Sequence, residues 1–275
     1  MRRSRTLRLL ALLAVGGAAL LWAIPFLWMA VASFRPGMPS DVATLLPRPP
    51  LGFANYAEAW SSGAFPTWYI NTVLVCGSIL CVQLIGATMA GYAFARLRFP
   101  GREALFAAFL LQLLLVPTLL IAPNLTTIVG LGLYDRLPGI MAPYFASAFG
   151  TFLMRQAFRA IPRDYEEAAM LDGAGPLALI RHVLVPLARP SLTAFAIVSV
   201  TFHWNEFLWP LMAVSSPDKQ VLTVGLASFA SGSEAGGEWG VVAAGTVLVA
   251  APLLITFLFF QRRFAASFVF SGIKG

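Results

Sequence analysis

Ionisable residues are rare in the apolar stretches of this chain, and Glu206 is the only acid within a stretch long enough to cross a membrane. A carboxylate at that depth is costly and usually faces a cavity or a polar partner. Glu206 and its neighbour Asn205 are therefore candidate lining residues of a translocation pathway, and Glu206 is also a candidate proton or ion site. The alternative is that Glu206 is a polar anchor, either hydrogen-bonded to His203 or lying at the outer water boundary.

Asn124 is a third candidate pathway residue, because it follows two prolines inside another apolar stretch. Pro117 and Pro123 each lack a backbone N–H, which frees carbonyl groups for a neighbour or a cavity. Ordinary helix irregularity is the alternative interpretation of these prolines.

The sequence EEAAMLDGAG at 166–175 is a charged interruption of the apolar sequence. Asp164 precedes Glu167 by three positions, which predicts an N-cap and a capping box. We expect a helix over about 165–172 that ends at Gly173, since glycine readily takes a positive φ. Ala168 and Ala169 carry almost no side chain, so the surface of another protein can approach this helix closely. A solvated loop with ordinary caps is the alternative.

A second short helix is predicted to start at Gly175-Pro176, because proline is acceptable in a first helical turn. Pro186 and Pro190 are expected to break it before the next apolar stretch. Its buried stripe is predicted to be Leu177, Ile180 and Leu184.

Several catalytic patterns are missing from the sequence. It contains no GxxxxGK[ST] phosphate loop, no Ser-His-Asp arrangement and no Cys/His spacing typical of a metal site. We therefore expect a chain that catalyses no reaction and binds neither a metal nor a cofactor.

The elements that position these residues are apolar helices. Hydrophobic residues make up 59% of the chain and charged residues 11%, whereas soluble domains carry about 25% charged residues. Each apolar stretch can span a bilayer, which requires about 20 residues, and spans of this kind must be helical to satisfy their backbone groups. We predict an all-α integral membrane protein with six transmembrane helices, near 9–34, 69–95, 104–129, 139–158, 191–214 and 240–260.

The first apolar stretch follows the basic sequence MRRSRTLR and is a candidate signal peptide. It is nevertheless longer than the usual apolar core of about 7–15 residues, which favours a retained helix. The predicted division is a cytoplasmic N-terminus at 1–8, a single transmembrane domain at 9–260 with a loop at 160–190, and a cytoplasmic tail at 261–275. Outer connections are expected at 35–67, with a short helical piece at NYAEAW (55–60), and at 215–239.

Basic residues indicate the orientation. Fifteen of the 19 Lys and Arg residues lie on the side that carries both termini and the loop at 160–190. The positive-inside rule places that side in the cytoplasm. The net charge of +7 is thus explained by topology, and we expect no nucleic-acid partner.

The 160–190 loop resembles the conserved cytoplasmic loop of bacterial ABC importer permeases, in which EAA is followed after three positions by a glycine and later by a proline. Pro186 and Pro190 stand in the same register. In that family the loop forms a coupling helix that docks on the ATPase subunit, within the type I permease fold. The resemblance implies an ATPase-coupling role for Glu166, Glu167, Ala168, Ala169, Asp172, Gly173 and Ala174.

Two further stretches resemble the carbohydrate branch, the maltose-type second permease subunit. They are FHWNEFLWPL at 202–211 and the tail QRRFAASFVFSGIKG, which departs from the usual pattern at 266–270. The resemblance implies a bacterial inner-membrane subunit that imports a carbohydrate, amino sugar, polyol or glycerol phosphate. Its implied partners are a second permease, an ATPase dimer that binds ATP and magnesium, and an extracytoplasmic solute-binding protein.

Two rival interpretations remain at this point. A secondary transporter or channel driven by a gradient would use Glu206 and would work without a nucleotide. A membrane scaffold would leave transport unaffected by any substitution. The transporter interpretation leaves the sequence at 166–175 unexplained.

Overall fold

The computed structural model of this chain describes residues 2–35, 51–233 and 239–272. That part of the chain is all-helical and contains no strand. Its α-helices are α1 (Arg2–Ser33), α2 (Ala54–Ser62), α3 (Phe65–Arg96), α4 (Arg102–Leu110), α5 (Ile121–Gly130), α6 (Leu137–Met141), α7 (Ala148–Ala160), α8 (Asp164–Leu171), α9 (Pro176–Leu179), α10 (Val185–Leu187), α11 (Arg189–Asn205), α12 (Leu208–Ala213), α13 (Leu222–Ser233) and α14 (Trp239–Gly272). Short 3₁₀ helices cover Leu111–Leu114, Pro117–Leu120, Ala142–Tyr144 and Pro217–Lys219, and a π-helix covers Ile180–Leu184.

Three helical stretches are long and apolar enough to cross a membrane by themselves, namely Ala11–Ser33, Phe65–Arg96 and Trp239–Phe259. Three bent pairs raise the number to six if each pair forms one span. These pairs are Arg102–Leu114 with Pro117–Gly130 at 100°, Leu137–Tyr144 with Ala148–Ala160 at 44°, and Pro176–Leu187 with Arg189–Asn205 at 80°. The prediction of an all-helical membrane protein is confirmed.

A proline position accounts for the first of these breaks. Val116 is extended with ψ 124° immediately before Pro117, which opens the 3₁₀ helix of the third predicted span. A residue before proline is disfavoured in the α region, so the helix ends there. The sequence therefore located this break, although a bend of 100° was not expected from it.

The predicted fifth span of 191–214 is wrong at its end, because α11 stops at Asn205. Pro210 has no N–H to donate to the carbonyl of Glu206, four residues earlier. Glu206 is extended with ψ 130°, and its carbonyl accepts a hydrogen bond from Thr223 Oγ1 at 2.6 Å instead. The short helix α12 then follows.

The described chain divides into two compact units. The first comprises residues 1–66 and 225–254. Asn55 on α2 closes the end of α1 in this unit, since its Nδ2 donates to the carbonyls of Ser33 at 3.1 Å and Arg35 at 2.8 Å. The helix expected at NYAEAW is thus confirmed as α2. Nearly all residues at 11–27 of α1 are apolar and exposed, which suits a helix that faces lipid.

The second unit comprises residues 67–224 and 255–275 and contains two apolar clusters. One joins α3, α5, α6, α12 and the start of α13 around Ile79, Ile128 and Trp209. The other joins α3, α7, α9, α10, α11 and the π-helix around Met154, Phe158 and Leu184. The second cluster forms the base on which α8 rests.

Parts of four predicted segments lie outside the described residues. They are residue 1 of the N-terminus, 36–50 of the first outer connection, 234–238 of the second, and 273–275 of the tail. The predicted domain bounds stay a prediction.

Candidate functional site

Helix α8 forms from the charged stretch and begins at Asp164. The prediction of Asp164 as N-cap is wrong, because Asp164 is the first helical residue and Arg163 occupies the cap position without a side-chain hydrogen bond. The carbonyl of Arg163 accepts from the amides of Glu166 at 2.8 Å and Glu167 at 3.0 Å. Three acids still lie in the first turn, where their negative charges interact favourably with the positive end of the helix dipole.

The end of α8 is a complete Schellman motif. Gly173 has φ +82°, and its amide donates to the carbonyl of Met170 at 3.0 Å. The amide of Ala174 donates to the carbonyl of Ala169 at 2.9 Å. Both hydrogen bonds satisfy carbonyls that have no partner within the helix. The stop at Gly173 is therefore confirmed.

One face of α8 lies open to solvent. Four of the candidate coupling residues, Glu167, Ala168, Asp172 and Gly173, are exposed, while Ala169 and Ala174 are half-buried. Leu171 is 89% exposed, and Tyr165 and Met170 are exposed as well. Exposed aromatic and large apolar side chains are typical of a protein-binding surface.

Glu166 differs from the other candidates, because its side chain points into the protein. It is 7% exposed, and its Oε1 lies 2.5 Å from Arg96 Nε at the end of α3. The two atoms form a close ion pair rather than an aligned hydrogen bond. Arg96 also donates from Nη2 to the carbonyl of Ile161 at 2.7 Å. Glu166 therefore ties α8 to α3 and is not part of the exposed face.

The second helix of the loop begins at Pro176, as predicted, but its buried stripe is different. Leu177 is exposed, and Leu179 is buried together with Ile180 and Leu184. The π-helix lies just before Pro186, where the missing N–H disturbs the usual ladder. Its wider turn shifts the register of the side chains, which a regular helical spacing did not predict.

The three candidate pathway residues have different surroundings. Glu206 lies at the break between α11 and α12 and its Oε1 accepts the amide of Trp209 at 3.4 Å. Asn205 is exposed and donates to the carbonyl of Thr201 at 2.8 Å. Asn124 is half-buried on α5 and, in the described part of the chain, shares no hydrogen bond with either. A pathway role for these residues stays a prediction.

Gln83 is a buried polar residue in the middle of α3 that the sequence analysis missed. Its Nε2 donates to the carbonyl of Tyr144 at 2.7 Å, and its Oε1 accepts from Ser199 Oγ at 2.6 Å. Its Nε2 also lies 3.4 Å from His203 Nε2. His203 thus faces Gln83, and its Nδ1 has no hydrogen-bond partner among the described residues, so the alternative of a hydrogen bond between His203 and Glu206 is wrong. An amide in the middle of a long apolar stretch was the available signal, because such groups bond across membrane helices.

Comparison with known proteins identifies the chain. Residues 83–268 match the family described as binding-protein-dependent transport system inner membrane component. The chain belongs to this family. This membership removes the secondary-transporter and scaffold interpretations.

Curated relatives cover most of this permease. It is 33% identical over 259 residues to the diacetylchitobiose uptake system permease protein NgcG of Streptomyces coelicolor, with 90% of this chain and 84% of that protein covered. It is 33% identical over 276 residues to the trehalose transport system permease protein SugB of Mycobacterium tuberculosis, covering 100% and 99%. It is 31% identical over 232 residues to the sn-glycerol-3-phosphate transport system permease protein UgpE of Yersinia pestis, covering 82% of each.

Solved structures share the permease fold. One chain of a bacterial ABC transporter involved in the import of the acidic polysaccharide alginate superposes with a TM-score of 0.84 at 24% identity, covering 95% of this chain and 98% of that one. A chain of the alginate transporter in complex with its alginate-bound periplasmic protein gives a TM-score of 0.68 at 15% identity, covering 94% and 96%.

Asp135 is a second residue that the sequence analysis missed, and it joins two loops of this permease. Its carboxylate accepts from the amides of Ser215 and Ser216, both at 2.9 Å, and from Ser216 Oγ at 2.5 Å. Its own amide donates to the carbonyl of Ala213 at 2.9 Å. Asp135 has φ +56°, a conformation that aspartate tolerates better than most residues. The hydrogen bonds from Ser216 and Ser215 lower the pKa of Asp135 to about 2.

Replacing Asp135 should loosen this loop junction. Asparagine also tolerates the positive φ. We expect Asp135→Asn to speed hydrogen exchange at the Ser215 and Ser216 amides, and we expect Asp135→Ala to speed it further. Peptide-resolved exchange in detergent measures both. The pKa of Asp135 lies below its ordinary value of 3.8, so the carboxylate stabilises the fold fully above that pH and loses this effect as the pH falls through about 2. Equal exchange in the wild type and both variants at pH 7 would contradict the assignment.

Proposed function

We propose that this chain is a six-span permease subunit of an ATP-driven importer, with α8 as the helix that couples it to an ATPase. The supporting observation is the exposed face of α8, which is closed by Gly173 at positive φ and anchored from behind by Glu166. Two bent pairs, Arg102–Leu114 with Pro117–Gly130 and Leu137–Tyr144 with Ala148–Ala160, would each count as one span. The fifth span would be formed from α11, because Pro176–Leu187 belongs to the loop. The excess of basic residues on one side supports cytoplasmic positions for both termini and for α8.

The solute is proposed to be a carbohydrate or a related compound. This proposal is supported by relatives named for diacetylchitobiose, trehalose and sn-glycerol-3-phosphate. The partners would be a second, different permease, an ATPase dimer and an extracytoplasmic solute-binding protein. ATP and magnesium would be bound by the ATPase subunits, and this chain would catalyse no reaction. Thermal shifts of the co-purified binding protein across a panel of sugars and sugar phosphates would identify the solute.

The coupling would work through rigid connections. ATP-driven closure of the ATPases would move α8, and the ion pair of Glu166 with Arg96 would carry that movement to the end of α3. The same helix holds Gln83, which is bonded to Tyr144 and Ser199. The permease would thus pass between inward-open and outward-open states whose balance both ATP and solute change. Glu206, Asn205 and Asn124 are proposed as pathway residues, with the break after α11 as the observation that favours the first two.

Gly173→Ala should weaken ATPase binding, because alanine at φ +82° is strained by about 1–2 kcal/mol and shifts the end of α8. A Cβ at this position would meet no atom within 4 Å, so the effect would come from the backbone alone. The measurement is affinity purification from the native host in mild detergent, with the retained subunits identified by mass spectrometry. We expect the variant to keep the second permease and to lose most of the ATPase.

Gly175→Ala is the matched control. Gly175 has φ −73°, and a Cβ there also meets nothing within 4 Å, so this variant should retain the ATPase. A wild-type chain that purifies without an ATPase, or equal retention by both variants, would refute the coupling role of α8.

A further inference from the structure

A strongly basic pocket lies among the ends of α3, α4 and α7 in the second unit. Its volume is about 720 Å³. Charged side chains dominate its lining, with one acid, Glu103, and six arginines: Arg96, Arg98, Arg102, Arg155, Arg159 and Arg163.

Three of these arginines are already paired within the protein. Arg96 binds Glu166, and Arg102 and Arg155 share Glu103, at 2.8 Å and 2.9 Å. Arg155 is the most constrained, because its Nε also donates to the carbonyl of Phe94 at 3.2 Å. These contacts fix the positions of three arginines that line the pocket, so the shape of the pocket is well defined.

The remaining three arginines carry uncompensated charge. Arg98, Arg159 and Arg163 are exposed, and none of them forms an ion pair with an acid in the described part of the chain. Like charges around one pocket repel each other. Guanidinium groups hold phosphate oxygens through paired hydrogen bonds, so an anion with a phosphate group would relieve this repulsion.

The surroundings of the pocket are apolar. Leu97, at the edge of the pocket, is 46% exposed, and Leu105 on α4 is 56% exposed. Further along, Leu111, Leu113 and Leu114 are exposed as well. An exposed apolar surface next to a basic pocket, at the end of membrane-spanning helices, is suited to a ligand with a charged head and a long apolar tail.

We propose that this pocket binds the phosphate headgroup of an anionic phospholipid, with the acyl chains lying along the exposed side of α4. Basic pockets between transmembrane helices on the cytoplasmic side are suited to anionic headgroups. A free phosphate ion or an acidic side chain of another subunit would match the charge but would leave the apolar surface uncovered. The proposed orientation of the chain determines only which leaflet supplies the lipid. The lipid site itself does not depend on it.

Native mass spectrometry of the full chain in detergent tests the proposal. Dioleoyl phosphatidylglycerol and dioleoyl phosphatidylcholine are titrated separately at fixed ionic strength. We expect the wild type to bind phosphatidylglycerol at least about tenfold more tightly than phosphatidylcholine. Arg98→Gln with Arg159→Gln should reduce phosphatidylglycerol binding about tenfold or more, given the contribution of each basic residue. Arg163 is left unchanged because it adjoins α8.

Arg181→Gln with Arg189→Gln is the control, since it removes two exposed arginines from the same predicted side but outside this pocket. It should leave the lipid preference intact. Arg98→Lys with Arg159→Lys keeps the charge and loses the paired hydrogen bonds, so its affinity should be intermediate. Equal losses in both glutamine variants, or no preference in the wild type, would overturn the proposal.

Inorganic phosphate separates the two possible sources of the anion. We expect 10 mM phosphate to displace little phosphatidylglycerol, because phosphate lacks the acyl chains; complete displacement would refute a lipid site. The titration requires no ATPase or solute. A chain that shows the lipid preference and yet purifies without an ATPase would refute the coupling role of α8 and leave the lipid site standing.

Discussion

Replacing Glu166 with alanine is expected to lower the free energy of unfolding by about 3–5 kcal/mol, the cost typical of breaking a buried ion pair. The side chains of Glu166 and Arg96 are only 9% and 8% exposed. Without Glu166, the guanidinium of Arg96 would keep the carbonyl of Ile161 as an acceptor but would lose its neutralising charge. Titration of the purified chain with SDS, followed by circular dichroism, measures the loss.

Glu167→Ala is the matched control for this experiment. Glu167 is the next residue on α8, carries the same charge and is exposed, so its removal should change stability by no more than about 0.5 kcal/mol. The double variant Glu166→Met with Arg96→Met removes both charges from the buried site and should recover much of the stability. A loss of equal size for Glu166→Ala and Glu167→Ala would show that the ion pair does not hold α8.

The two carboxylates also separate stability from docking. Glu166 contacts α3, so its loss should loosen the chain itself and reduce ATPase binding as a consequence. Glu167 lies on the exposed face, so its loss should reduce ATPase binding in the importer without changing the stability of the isolated chain. Purification of both variants with their partners, together with the SDS titration, distinguishes these two effects.

Local features of α8 were predictable from the sequence, and its long-range contacts were not. The end at Gly173 follows from a backbone preference that a single residue carries. The start was placed one residue late, because Asp164 is an acceptable residue both in the cap and in the first turn. The inward orientation of Glu166 depends on Arg96, which is 70 positions away, and no local pattern indicates such a partner.

The membrane-spanning helices show the same contrast between local features, which were predictable, and long-range contacts, which were not. Hydropathy placed the apolar stretches, and Pro117 marked one of the breaks. The size of a bend depends instead on which groups satisfy the freed carbonyls, as Thr223 does for Glu206. Gln83 and Asp135 were missed for a related reason, since the partners that define their roles come from other segments of the chain.

Replacing Gly91 with alanine is expected to destabilise the second unit by about 1–3 kcal/mol through overpacking. A Cβ at Gly91 on α3 would lie 2.6 Å from Met154 Cβ and 3.1 Å from the backbone N of Arg155 on α7. Neither atom belongs to the flexible end of a side chain, so relief would require the two helices to separate. Separation would also disturb the hydrogen bond from Arg155 Nε to the carbonyl of Phe94.

Gly86→Ala is the matched control on the same helix. A Cβ at Gly86 meets nothing within 4 Å, and alanine is favoured over glycine in a helix by up to about 1 kcal/mol. The isolated chain with Gly86→Ala should therefore be as stable as the wild type or slightly more stable, while Gly91→Ala should unfold at a lower SDS fraction. If the two variants unfolded together, α3 and α7 would be able to move apart at little cost. The close contact at Gly91 would then not fix the position of Arg155, and the shared ion pairs of Glu103 would have to hold these helix ends instead.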